Sequence, residues 1–260
     1  TPAARDAADL VVVDDRVETI VDALLEGRAL WASARDAAAI LVGGNLGEIG
    51  FMVAGSAIDG RAPLNARQLL LVNLLTDTAP ALAIAVRQPS RPTAELLVRE
   101  GPEASLGTLA RDITMRAALT STGATGAWLV ARAMGTRAHA RTVGMTALVG
   151  TQLGQTILVG GRDPVVLAAG LGSAALLAAI VQTPGVSHAF GCRPLGPIGW
   201  AVSTTASAAA TVGGAVLPRA CAARPIRDSS LAEPARHDER RPAGGPAFVV
   251  VPEPVEQMGT

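Results

Sequence analysis

The amino-acid sequence predicts an all-α membrane protein, a six-helix transmembrane bundle with a short strand of a soluble domain at its N-terminal edge. Three observations carry this prediction. Hydrophobic residues make up 49% of the chain and charged residues only 17%, a balance that points away from an ordinary soluble domain. Six stretches are apolar over lengths approaching the roughly 20 residues that cross a bilayer core. Two of these stretches also hold acids and amides at mid-length, where a membrane helix carries such groups only for a reason.

The elements follow in chain order. Residues 1–15 are polar except for Leu10-Val11-Val12-Val13, closed by Asp14 and Asp15. A β-branched run ending in acids predicts a buried strand leaving a soluble domain. From Arg16 the pattern becomes helical, with Val17, Ile20, Val21 and Leu24 on one face. No proline interrupts it before Pro63, so one helix is expected to run from the aqueous phase into the bilayer. The six predicted spans have their cores at Ala37–Ile58, Gln68–Val86, Ile113–Met134, Val143–Gly160, Val165–Val181 and Ile198–Leu217. The last is rich in Ala, Ser, Thr and Gly, which lets helix backbones approach closely. Residues 218–260 are polar and rich in Pro, Arg and Glu, the composition of a disordered tail.

Charge bounds the surroundings. All 22 basic residues are Arg, balanced by 22 acids, so nothing argues for a nucleic-acid partner. The lipid bilayer is the expected partner instead. More Arg falls on the side of Arg28, Arg35, Arg87, Arg111 and Arg162 than on the side of Arg61, Arg67, Arg132 and Arg137. The excess of basic residues on cytoplasmic loops then puts both termini in the cytoplasm of a multi-pass cell-membrane protein. Cys192 and Cys221 are too far apart for a short metal motif. The start at Thr1 and the absence of a cleavable signal pattern read as the tail of a longer chain.

The informative side chains lie in the first two spans. Asn45 and Glu48 are three residues apart and share a helix face. Asn73, Thr76 and Asp77 fall within an arc of about 100°. An ionised acid at mid-bilayer costs roughly 2.5–3.5 kcal/mol or more, and a cation is the economical compensation for two of them. The donor set of carboxylates, amide carbonyls and a hydroxyl suits Ca²⁺ or another hard cation. Pro80 has no N–H, so the Thr76 carbonyl loses its helical partner and the helix can unwind locally. Gln152, in the fourth span, offers one more mid-bilayer amide oxygen. An interhelical hydrogen bond is an equal reading for that residue taken alone.

These residues occur in a recognisable order. Ala-Ala-Asp-Leu-Val-Val-Val-Asp-Asp (7–15), Glu-Gly-Arg (26–28), Asn-Leu-Gly-Glu (45–48) and Leu-Val-Asn-Leu-Leu-Thr-Asp-Thr-Ala-Pro-Ala (71–81) resemble the C-terminal part of P-type cation-transporting ATPases. The resemblance is nearest to the calcium-pump-like branch and its actinobacterial relatives. It is specific over residues 7–89 and becomes one of hydropathy and topology over 90–217. It implies that residues 1–15 end an α/β phosphorylation domain, 16–36 form a stalk helix, and 37–217 are the fifth to tenth membrane helices, with 218–260 a cytoplasmic tail. It also implies that Asn45, Glu48, Asn73, Thr76 and Asp77 are cation ligands. Gln152 stands where members carry an acid or Gln, which leaves ion and stoichiometry open.

The family's phosphorylated Asp lies in Asp-Lys-Thr-Gly-Thr, and this chain has no Lys. The nucleotide-binding domain and the first four helices are not in the sequence either. ATP and Mg²⁺ are therefore expected to act only in the complete pump, with the missing N-terminal part as partner, and no catalysis is expected of this chain alone. The heavy-metal branch is disfavoured, because its soft Cys-containing membrane motifs do not occur. Two rival readings differ in class. One is a stand-alone membrane module, whether a passive ion pathway, a scaffold or a degenerate remnant. The other is a proton-coupled secondary transporter, against which the strand at 8–15 tells.

Overall fold

The computed structural model describes residues 17–86 and 104–222. The predicted strand at 8–15 and the tail beyond residue 222 lie outside the described residues. Among the described residues the fold is entirely helical. Helix α1 (Val17–Asp59) is one unbroken rod of 43 residues. It is followed by α2 (Ala66–Asn73), a π-helical turn (Leu74–Thr78) and α3 (Ala79–Ala85), which together form one interrupted helix. Helices α4 (Ala104–Met134), α5 (Arg137–Gly160) and α6 (Pro164–Gln182) come next. A four-residue turn α7 (Val186–Ala189) then leads to α8 (Pro197–Ala222).

Each predicted span core falls on a helix, apart from the final residue of the second, Val86. Three of the helical stretches are long and apolar enough to cross a membrane: α1, the interrupted helix Ala66–Ala85, and α6. Helices α4, α5 and α8 are long enough but less apolar. The reason is visible in the packing. Helix α5 lies at the centre, with Thr142, Thr146, Thr151, Gln152, Gln155 and Thr156 all buried against protein. A helix screened by its neighbours need not be apolar on every face. Many large apolar side chains are instead turned outward, among them Val53, Leu70, Leu74, Leu82 and Leu171. Such exposure is unusual for a soluble protein and natural for a surface facing lipid.

The core is built by close helix approach. Phe51 of α1, Leu71, Val72 and Leu75 of the interrupted helix, Trp128 of α4 and Met145, Leu148 and Val149 of α5 form one buried cluster. Gly43 and Gly47 lie one turn apart on the face of α1 that meets α4, against Arg116 and Thr120.

Ion pairs bracket the bundle. At one end Arg35 of α1 meets Asp112 of α4 at 3.2 Å. At the other, Asp59 pairs with Arg132 and lies 3.4 Å from Arg137, while Arg132 also stacks 5.6 Å from the Trp128 ring centre. Arg35 and Asp59 are 24 residues apart on α1, about 36 Å at helical rise. That separation lies between the roughly 30 Å of a hydrocarbon core and the roughly 40–45 Å that includes its interfaces, and Glu48 lies close to its middle. Asp59→Asn should leave one half-buried guanidinium, Arg132, and one exposed one, Arg137, without their carboxylate. Thermal unfolding in detergent should show a loss of about 2 kcal/mol, between the values for exposed and buried pairs. An unchanged midpoint would make the pairing ornamental.

Candidate functional site

The six candidate residues come together from three helices. Helix α1 supplies Asn45 and Glu48, the interrupted helix supplies Asn73, Thr76 and Asp77, and α5 supplies Gln152. Helical spacing explains the first five, since offsets of three and four return to one face. The break in the second helix explains how Thr76 and Asp77 fit there. Pro80 lies at the start of α3, where its missing N–H removes one backbone bond, and the turn just before it widens to π-helical form over Leu74–Thr78. Single π turns of this kind occur where a helix carries function.

The contacts cross between helices. Gln152 Nε2 donates to Glu48 Oε1 at 3.2 Å and to the Gly44 carbonyl at 3.3 Å. With its nitrogen turned toward Glu48, the Asn73 amide donates to Oε2 at 2.9 Å and Oε1 at 3.3 Å. The Asn45 side chain lies near enough to the Asp77 carboxylate to interact with it. Thr76 Oγ1 donates to Asp77 Oδ1 at 3.0 Å and to the Val72 carbonyl at 3.0 Å. Each Asn thus lies near the acid of the other helix. Glu48, Thr76 and Gln152 are buried, Asn73 and Asp77 half-buried, and Asn45 exposed. The two carboxylates are close enough to repel one another.

One atom stands out. Gln152 Oε1 is buried without a hydrogen-bond partner among the described residues. A buried amide oxygen left unpaired costs about 1–3 kcal/mol. Each amide here carries an oxygen and a nitrogen on one pivot, so a half-turn would exchange a donor to a carboxylate for a ligand to a cation. Among the described residues no three of His, Cys, Asp and Glu cluster. Any cation held here would rest on two carboxylates and neutral oxygens, the pattern of a hard ion.

One contact was not legible beforehand. The Gly44 carbonyl accepts from Gln152 across the α1–α5 contact, where a Cβ at Gly44 would sit in ordinary contact with the amide, 3.5 Å away. The Gly43-Gly44 pair was the only available signal. Gln155 makes the interhelical bond common for a buried amide in a membrane helix: it donates to Thr120 Oγ1 at 3.3 Å and ties α5 to α4.

The chain is similar to known proteins over most of its length. The family described as cation transporting ATPase, C-terminus, matches residues 61–218. A probable cation-transporting ATPase I of Mycobacterium leprae is 47% identical over 237 residues, which are 84% of this chain and 15% of that relative. A calcium-transporting ATPase of Bacillus subtilis is 39% identical over 89 residues, 34% of this chain and 10% of the relative. A P-type sodium-transporting ATPase4 of Toxoplasma gondii is 38% identical over 90 residues, 35% of this chain and 7% of the relative. The chain thus spans 15% of the length of the mycobacterial relative it matches at 47% identity. With the family match covering more than half its residues, the chain belongs to the C-terminal family of cation-transporting P-type ATPases.

Proposed function

We propose that this chain is the cation-binding and translocating membrane part of an ATP-driven P-type pump in the cell membrane, with six membrane-spanning helices and both ends cytoplasmic. The observation that carries the reading is the unpartnered Gln152 Oε1 beside Glu48. An amide oxygen and two carboxylates gathered between helices make a site whose missing counter-charge is a cation. Asn45, Glu48, Asn73, Thr76, Asp77 and Gln152 are the ligands. Ca²⁺, which takes roughly six to eight oxygens, suits the set. Relatives named for calcium and for sodium keep a monovalent ion in the comparison. ATP and Mg²⁺ act in the rest of the complete pump, where the phosphorylated Asp resides. The exposed flank of Asn45 is where helices from that part would complete the shell.

The geometry gives the transport step a mechanical form. Helix α1 is a single rod, so displacement of its N-terminal end is carried to Glu48 without being absorbed by a bend. The π turn beside Asp77 is the softer partner. Moving the rod against that turn separates the two carboxylates and lowers cation affinity, which is the requirement for release.

The test is phosphorylation of the complete pump from ATP in membrane vesicles, with Ca²⁺, Mn²⁺, Mg²⁺, Na⁺ or K⁺ added separately over a constant Mg-ATP background. One of these cations should raise the acid-stable phosphoenzyme, and Gln152→Ala should weaken its apparent affinity about 10-fold. Cation binding without phosphorylation at any concentration would favour a passive pathway or scaffold instead.

A further inference from the structure

Gln68 lies in the first turn of α2 and is wholly buried, at 0% exposure. Its side chain acts in two directions. Oε1 accepts from Asn65 N at 3.1 Å, while Asn65 Oδ1 accepts from Gln68 N at 2.9 Å, a capping box that fixes the helix start. Nε2 reaches the segment after α7 and donates to the Gly191 carbonyl at 3.3 Å and to Cys192 Sγ at 3.5 Å. Two neighbours reach the same segment: Asn65 Nδ2 donates to the Phe190 carbonyl at 3.3 Å and Arg67 Nη1 to the Ala189 carbonyl at 2.8 Å. On its other side the Arg193 N–H donates to Thr142 Oγ1 of α5 at 2.9 Å.

Residues 189–193 are therefore a strap fastened to the first turn of α2 and to α5. Gly191 makes it possible. Its φ is 72°, and a Cβ there would collide with Asn65 Nδ2, so only glycine fits. The strap seals Cys192, which is 1% exposed with its sulfur 3.9 Å from Met145 Sδ.

The position of this fastening gives it consequence. Gln68 is nine residues before Asp77, about 13 Å along the helix, with Asn73 and Thr76 between. Just beyond Asn73 the helix is widened, and Pro80 withholds a backbone bond. A helix softened beside its ligands takes its rotation and height from whatever holds its ends. We propose that the 189–193 strap sets the position of α2, that Gln68 is a positioning residue for the ligands Asn73, Thr76 and Asp77, and that strap closure and cation binding are thermodynamically linked. The proposal rests on the cation-site reading above. Linkage is reciprocal: a bound cation must hold the strap closed as much as the strap favours the cation.

Cys192 is the reporter. Burial pushes its thiol up from its ordinary pKa, so alkylation requires the strap to open. The experiment is maleimide labelling of the complete pump, mapped to Cys192 by peptide mass spectrometry. It is run with and without whichever of Ca²⁺, Mn²⁺, Mg²⁺, Na⁺ and K⁺ stimulates phosphorylation. That cation should slow labelling at least about 5-fold. Gln68→Glu keeps the capping acceptor but loses both donations to the strap. Gly191→Ala strains the strap at its positive φ and presses on Asn65 Nδ2, while leaving the Gln68 side chain itself unchanged. Both should speed labelling and weaken cation affinity by about 5- to 20-fold.

Because Gln68→Glu buries a charge, Gly191→Ala stands as the independent arm. Labelling indifferent to the cation, together with wild-type affinity in both variants, overturns the strap proposal. In the same preparation Asp77→Asn should remove the cation's protection of Cys192. If instead Asp77→Asn binds the cation normally, the site reading fails, and the proposal falls with it.

Discussion

Asp77→Asn and Glu48→Gln should each abolish cation-stimulated phosphorylation of the complete pump at cation concentrations that saturate the wild type. The argument is one of charge at fixed geometry. An Asn at 77 can still accept the Thr76 hydroxyl, which donates to Asp77 Oδ1 at 3.0 Å. A Gln at 48 can still accept from Gln152, which donates to Glu48 Oε1 at 3.2 Å. Shape and hydrogen bonding are thus largely kept, and one negative charge is lost from a site that has two. Loss of an outer partner of a metal ligand alone costs 10- to 100-fold in affinity, so loss of a ligand charge should cost at least about 100-fold. Stability should move the other way or not at all. Removing a repelling, poorly solvated carboxylate from a helix interface is neutral or stabilising, so detergent melting should show no fall. A fall in melting temperature matching the loss of function would mean the acids serve the fold.

Valine at Gly47 or Gly144 should prevent stable folding. A Cβ at Gly47 would lie 2.7 Å from Thr120 Cβ and 3.2 Å from the Ala117 carbonyl of α4. One at Gly144 would lie 2.9 Å from Phe51 Cζ and 3.0 Å from Trp128 Cβ. At Gly47 the obstruction includes backbone, and at Gly144 it is two fully enclosed aromatic side chains, so neighbours cannot turn aside. Overpacking a tight core costs typically 1–3 kcal/mol, and an added isopropyl group at these approaches places both variants at or beyond about 3 kcal/mol. The measurement is the fraction of monodisperse protein after detergent extraction and mild heating. Gly172→Ala is the matched control, since a Cβ there meets nothing within 4 Å. It should be neutral or slightly stabilising. Equal losses from all three substitutions would mean that helix flexibility, not contact distance, is the cause.

The parts of the molecule legible in sequence were those where chemistry contradicts its surroundings. Glu48 and Asp77 are conspicuous because acids are costly in apolar helices. Their amide and hydroxyl companions follow from helical spacing, and Pro80 marks the widened turn beside them. The parts that were not legible depend on tertiary shielding or on carbonyls that every residue owns. Hydropathy is weak in α5 because its Thr and Gln face other helices, a fact no single-helix pattern contains. Helical spacing groups Asn73 with Asp77, yet with its nitrogen turned toward Glu48 its amide donates to that carboxylate across the interface. The strap at 189–193 is made mostly of backbone carbonyls, so Gln68 reads in sequence as one polar residue near a helix start.

The most direct test of the central claim is a cryo-electron-microscopy map of the complete pump at a saturating concentration of the cation that stimulates its phosphorylation. The account predicts density for the ion between the Glu48 and Asp77 carboxylates, with Gln152 Oε1 turned toward it and the Asn73 amide rotated to present oxygen. An ion bound elsewhere, with Gln152 and Asn73 still donating to Glu48 as they do here, would contradict it.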